Sequence, residues 1–91
     1  MQESLKRRSV GILPLEGFPL LSFASVVDPF RFANVLSGKI LYDVAVIGDK
    51  ATSVSSSGPA LAKVDQQMSN DMTFDYLFVI AGGRPEAFSD Q

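Results

Sequence analysis

Three short segments combine residue types that could hold or act on a ligand: Glu16-Gly17-Phe18-Pro19, Gly48-Asp49 and Gly82-Gly83-Arg84-Pro85. Paired glycines ahead of a helix start allow close backbone approach and leave N–H groups free for an anion or carboxylate. Arg84 would add charge and bidentate donors. The plain alternative is a tight turn with a solvated arginine. It is not a nucleotide fingerprint, because neither GxGxxG nor GxxxxGK[ST] occurs. Glu16 could serve as a general acid or base, or be a solvated loop carboxylate. Asp28 reads as a helix cap rather than a ligand. Ser53, Ser55, Ser56 and Ser57 have no base beside them and read as solvated loop residues. The chain has no Cys and no His. Disulfides, thiolate chemistry, zinc–thiolate sites and His-based triads are excluded within it.

The elements that must position these segments alternate between strand and helix. Arg8 to Leu15 is almost continuously apolar, as in a strand covered on both faces, and Pro14 should mark its end. Pro19 suits a first helical turn, and helical pattern runs from Leu20 to Leu36 with Gly38 as a stop. Ser22, Ser25, Asp28, Arg31 and Asn34 recur every three residues and so spiral around a straight helix. Pro29 should therefore kink or break it, with Asp28 capping the second half. The helix carries more apolar surface than one sheet face covers, and Leu20, Phe23, Val27 and Phe30 are candidates for a dimer interface. Tyr42 to Gly48 is the second strand and Asp49-Lys50 a turn. Thr52–Ser57 and Ala60–Val64 are weaker strands separated by Gly58-Pro59. Residues 65–73 read as irregular or one loose helical turn. Tyr76 to Ala81 is the strongest strand, and Pro85 with Glu86 fits a second helix start.

This order implies an α/β fold, a parallel sheet with flanking helices. Sites in such sheets form outside the carboxyl ends of the strands, where all three segments fall. One helix and the start of another cover such a sheet poorly, so the chain reads as the front half of a larger domain. It has 91 residues, 46% of them hydrophobic, and a net charge of −2. That is too apolar for disorder and gives no electrostatic footprint for nucleic acid. No apolar run reaches membrane-spanning length, and Lys6-Arg7-Arg8 followed by Val10 to Leu15 is too short for a signal peptide. The basic trio reads as solvated or as a strand-edge guard. A cytoplasmic protein with no membrane partner, no cofactor and no metal is expected.

In order, Val10-Gly-Ile-Leu-Pro-Leu15, Gly17-Phe-Pro-Leu-Leu-Ser-Phe-Ala-Ser25, Asp28-Pro-Phe-Arg-Phe-Ala-Asn34, Leu36-Ser-Gly38, Ser55-Ser-Ser-Gly58 and Phe78-Val-Ile-Ala-Gly-Gly83 form a distinctive set. The set resembles the N-terminal domain of GlxA-like regulators of the AraC family, a domain of the ThiJ/PfpI, class I glutamine amidotransferase-like superfamily. The resemblance spans nearly the whole chain. It implies a flavodoxin-like α/β fold used as an effector sensor and as a homodimerisation unit. The effector would be a small metabolite of amino-acid or amine type. DNA would be bound only through a C-terminal helix-turn-helix domain outside this chain.

The resemblance places Gly17, Phe18, Ser22, Gly82, Gly83 and Arg84 around the ligand. Enzymes of the superfamily carry a Glu on the first helix where Ser22 stands here, and a hydroxyl cannot do a carboxylate's protonation work. Their nucleophile elbow would lie beyond Gln91. A non-catalytic sensor and regulator of transcription is the expectation. The alternative is part of a hydrolase, hydratase or glyoxalase-like enzyme with a downstream nucleophile, and a third reading is a small dimerisation module.

Overall fold

The computed structural model describes residues 6–82. The first strand, β1 (Arg8–Pro14), lies between two parallel neighbours, β2 (Tyr42–Gly48) and β6 (Tyr76–Ile80). Ile12 stands opposite Val46 on one side and Phe78 on the other. The short β5 (Gln66–Gln67) extends the sheet beyond β2, giving the parallel order β5-β2-β1-β6. The run β2-β1-β6 is the start of the flavodoxin-like 2-1-3 order. The expected parallel α/β architecture is therefore present. One detail differs from expectation: Gln66–Gln67, within the stretch expected to be irregular or loosely helical, is paired sheet. Asp65 secures that pairing, since its Oδ2 accepts from the Val46 amide at 2.8 Å and its own amide donates to the Val46 carbonyl at 2.8 Å.

Helix α1 (Leu20–Ser37) links β1 to β2 and covers one face of the sheet. It ends as its sequence requires. Gly38 takes the left-handed φ of 70°, and its amide donates to the carbonyls of Asn34 and Val35. Phe23, Val26, Val27 and Phe30 pack against the core that Val10, Ile12, Phe18 and Ile80 help to form. The Phe30 ring meets Tyr42 edge-on at 4.8 Å and Phe78 at 5.9 Å. Three of the four residues expected at a dimer interface, Phe23, Val27 and Phe30, are thus turned into the chain's own core. Leu20 alone of the four is exposed.

Of the kink or break expected at Pro29, the break does not occur, since the helix is continuous from Leu20 to Ser37. A proline inside a helix costs about 3 kcal/mol or more, and here the ring lies on the exposed side. The Ser25 carbonyl it leaves unpaired can be hydrated there. The row of apolar side chains seated on the sheet holds both halves in line. Asp28 caps nothing. It accepts from Arg31 Nη1 at 3.4 Å, one turn along.

A hairpin of β3 (Ser53–Ser55) and β4 (Leu61–Lys63) adds Val54 and Ala62 to the core. Beside it, Gly48 leaves no room for a side chain. A Cβ there would stand 2.6 Å from one Val64 methyl and 3.2 Å from the Ala51 carbonyl. Valine's branched side chain has few rotamers to retreat into. Gly48→Ala is expected to lower stability by about 1–3 kcal/mol, read as a reduced urea midpoint.

Candidate functional site

The strand order reverses at β1, with β2 on one side and β6 on the other. Ligands of open α/β sheets bind outside the carboxyl ends at such a switch point. The chain from Leu15 to Pro19 passes through it. The Leu15 amide donates to the Ile80 carbonyl at 2.9 Å and ties the loop to the end of β6. Gly17 turns the loop with a φ of 82°, the left-handed region that suits glycine. The Gly17 amide donates to the Ser55 carbonyl at 2.8 Å, and the Ser57 amide to the Phe18 carbonyl at 2.8 Å. Phe18 and Ser56 form a parallel bridge. The hairpin thus clamps the loop from outside.

The clamp depends on a residue that sequence reasoning misplaced. Ser56 is fully buried, not a solvated loop serine. Its Oγ accepts from the Gly58 amide at 3.1 Å and the Ala60 amide at 3.2 Å. These bonds fold the hairpin turn. The signal was in the sequence, as Ser two residues before Gly58-Pro59 is turn chemistry.

The ring of Phe18 is fully buried and lies 5.2 Å from Phe23. Of the residues expected around a ligand, Phe18 thus serves as an anchor beneath the loop. Ser22 is exposed in the first turn of α1. The first bond within that helix runs from the Phe23 amide to the Pro19 carbonyl at 3.1 Å. The amides of Leu20, Leu21 and Ser22 precede it, no side chain caps them, and the first turn holds no acidic residue. This end of the helix presents free donors and the positive end of the dipole. Gly82, just beyond β6, has a φ of 93° and open space where a Cβ would be. Gly83, Arg84 and the helix start at Pro85 lie outside the described residues.

Glu16, at the start of the first segment, and Gly48-Asp49 meet in a cleft of about 200 Å³ between the ends of β1 and β2. Leu13, Pro14, Leu15, Val54 and Ala51 form its apolar walls, and Glu16, Gly48 and Asp49 complete it. Both charged groups on the cleft are carboxylates. One side of the Leu15–Pro19 loop therefore favours a cation and the other an anion. Ser22, Phe18 and Gly82 do not line the cleft. Among the described residues no group of three or more His, Asp or Glu could hold a metal ion, and no helix is long and apolar enough to cross a membrane.

The chain is 33% identical over 89 residues to the HTH-type transcriptional regulator GlxA of Rhizobium meliloti (strain 1021), covering 97% of this chain and 27% of that protein. It is 35% identical over 75 residues to the HTH-type transcriptional regulator GbdR of Pseudomonas aeruginosa (strain UCBPP-PA14), covering 82% of this chain and 20% of the relative. Its homologues are thus transcriptional regulators, and the chain spans between a fifth and about a quarter of their length. No family model and no solved structure matches the sequence.

Proposed function

We propose that this chain belongs to the effector-sensing domain of a GlxA-like, AraC-family transcriptional regulator, built on the ThiJ/PfpI amidotransferase-like fold and without catalytic activity. The observation that carries the reading is the similarity to GlxA, which extends over 97% of the chain. The position of the switch-point loop supports it, as does Ser22, which offers a hydroxyl where catalysis in this superfamily uses a carboxylate. The DNA contact belongs to a helix-turn-helix portion of the whole regulator.

The effector that fits is a small molecule with both a carboxylate and an ammonium group, of the amino-acid or amine-derived class. Its carboxylate takes the free amides of Leu20, Leu21 and Ser22. Its cationic end turns toward Glu16 and Asp49. Such a ligand regulates only through unequal affinity for two states of the protein.

Ser22→Glu separates binding from folding. An acidic side chain in the first turn stabilises a helix by about 0.3–1 kcal/mol, so Tm should hold or rise slightly. The same charge repels a carboxylate, so the effector-induced thermal shift should vanish. A thermal-shift screen of amino acids and their amine derivatives on the whole regulator provides the measurement. If no compound shifts Tm while regulation stays normal, the sensor reading fails. An effector bound equally well by Ser22→Glu places the anion site elsewhere.

A further inference from the structure

One backbone conformation beside the cleft has no local explanation. Lys50 holds a φ of 67°, the only non-glycine residue with a positive φ among the described residues. L-residues other than Asn and Asp seldom adopt it. Among the described residues Lys50 joins no ion pair that would offset the strain. The conformation reverses the chain after β2. It brings the Ala51 carbonyl back over Gly48, 3.2 Å from where a Cβ would stand. Asp49 and Ala51, on either side of Lys50, both line the cleft. Strain of this kind persists only where the surroundings over-determine it, and it collects at ligand sites.

The surroundings here are the segment from Val64 to Met68. The Met68 amide donates to the Gly48 carbonyl at 2.8 Å, and the Val64 amide to the Thr52 carbonyl at 3.0 Å. These two main-chain bonds bracket the turn. Between them lies one side-chain bond, in which Gln67 Nε2 donates to the Ala51 carbonyl at 2.7 Å. Gln67 reaches it because β5 pairs Gln67 with Gly48. Removing the Gln67 side chain leaves both main-chain bonds standing. It therefore frees the turn without unpairing the strands.

We propose that Gln67 is a positioning residue for the cleft: it holds the strained Lys50 turn so that Asp49, together with Glu16, receives an ammonium group on a short alkyl stem. The proposal rests on the effector reading above and assigns the cationic end of that effector. The stem is set by the cleft walls, Leu13, Pro14, Leu15, Ala51 and Val54, which are all apolar. Gln67 does not line the cleft and acts only through the Ala51 carbonyl. From Ala51 the chain runs into β3, where Val54 is a cleft wall and the Ser55 carbonyl accepts from the Gly17 amide. A turn that relaxes at Lys50 therefore displaces a carboxylate, an apolar wall and the Leu15–Pro19 loop together.

Propylammonium chloride probes the cleft alone, because it carries no carboxylate for the α1 amides. Its thermal shift is read on the intact regulator against equal sodium chloride. The wild type should show a saturable shift. Gln67→Ala should weaken the apparent affinity roughly 10-fold, with the ligand-free Tm within about 4 °C of the wild type. Lys50→Gly removes the strain, since glycine takes this φ freely. In that background Gln67→Ala should weaken affinity by less than about 3-fold. Lys50→Gln removes the charge and keeps the strain, so the full loss should return. A merely structural Gln67 would lower the ligand-free Tm equally in all three backgrounds and leave affinity alone. Unchanged affinity in Gln67→Ala, or an equal loss in the Lys50→Gly background, overturns the proposal. A wild type that responds to propylammonium no more than to sodium chloride overturns it as well. The sensor reading is judged separately, by the effector screen and by Ser22→Glu at the anion end.

Discussion

Phe18→Ala is expected to lower stability by about 3–5 kcal/mol, the largest effect of any substitution considered for this chain. The ring is fully buried and packs on Phe23 at the point where β1 hands over to α1. Domains have only about 5–15 kcal/mol in total, so much of the protein would be unfolded at 25 °C at the low end of that range. The damage would not stay local. The Phe18 carbonyl accepts from Ser57 and the Gly17 amide donates to Ser55, so a collapsed ring site loosens the clamp around the switch-point loop. Urea denaturation gives the measurement, with a fall in midpoint at unchanged m showing lost stability rather than a changed unfolded state. Phe18→Leu keeps most of the apolar volume and should cost less than about 1.5 kcal/mol. Should Phe18→Ala instead remain nearly as stable as the wild type and lose only effector binding, the ring would be a ligand contact and not an anchor.

The fold was legible where local chemistry and burial agree. Tyr42–Gly48 falls at the residues its apolar pattern marks, and α1 begins after Pro19 and ends at the glycine that its sequence supplies. Pro29 shows where local reasoning fails. Its missing N–H and its ring argue for a break, and the spiral of polar residues argues the same. Packing against the sheet outweighs both, because the inward stripe at 23, 26, 27 and 30 keeps register only in a continuous helix. The same continuity decides which apolar residues face outward. The excess of apolar residues on α1 pointed to Leu20, Phe23, Val27 and Phe30 as the surplus. Read as one rod, the surplus is Leu21, Phe32, Val35 and Leu36.

The candidate site was legible as three loops and not as an arrangement. Parallel strands put Glu16-Gly17-Phe18-Pro19, Gly48-Asp49 and Gly82 after the carboxyl ends of their strands, which follows from the alternation of elements alone. The division between a carboxylate-lined cleft and a donor-rich helix start depends on which way each loop turns. Gly17 sets that turn through its positive φ, and the buried Ser56 sets it through the hairpin. A two-residue strand such as Gln66–Gln67 does not stand out from its polar neighbours in sequence, because tertiary contacts supply most of the energy that fixes it.

Asn34 joins the end of α1 to the start of β2 and should carry the next largest effect. Its Nδ2 donates to the Tyr42 carbonyl at 2.9 Å, and its Oδ1 accepts from the Leu41 amide at 2.8 Å and the Tyr42 amide at 3.0 Å. No backbone element serves these groups, since the chain there is turning from helix to strand. The Leu41 carbonyl in turn accepts from the Arg8 amide at 3.0 Å, so the bonds fix where β2 begins beside β1. Asn34→Ala leaves three main-chain groups short of partners in a half-buried place, where each unmet group costs about 1–3 kcal/mol less whatever water restores. A net loss of about 2–3 kcal/mol is expected on that basis. Asn34→Asp keeps the two acceptor bonds and sets an oxygen against the Tyr42 carbonyl, so its midpoint should fall between those of the wild type and Asn34→Ala. Hydrogen exchange locates the effect: the Leu41 and Tyr42 amides should exchange faster in Asn34→Ala than in Asn34→Asp. Equal protection in both variants would mean that sheet pairing, not this side chain, holds the junction.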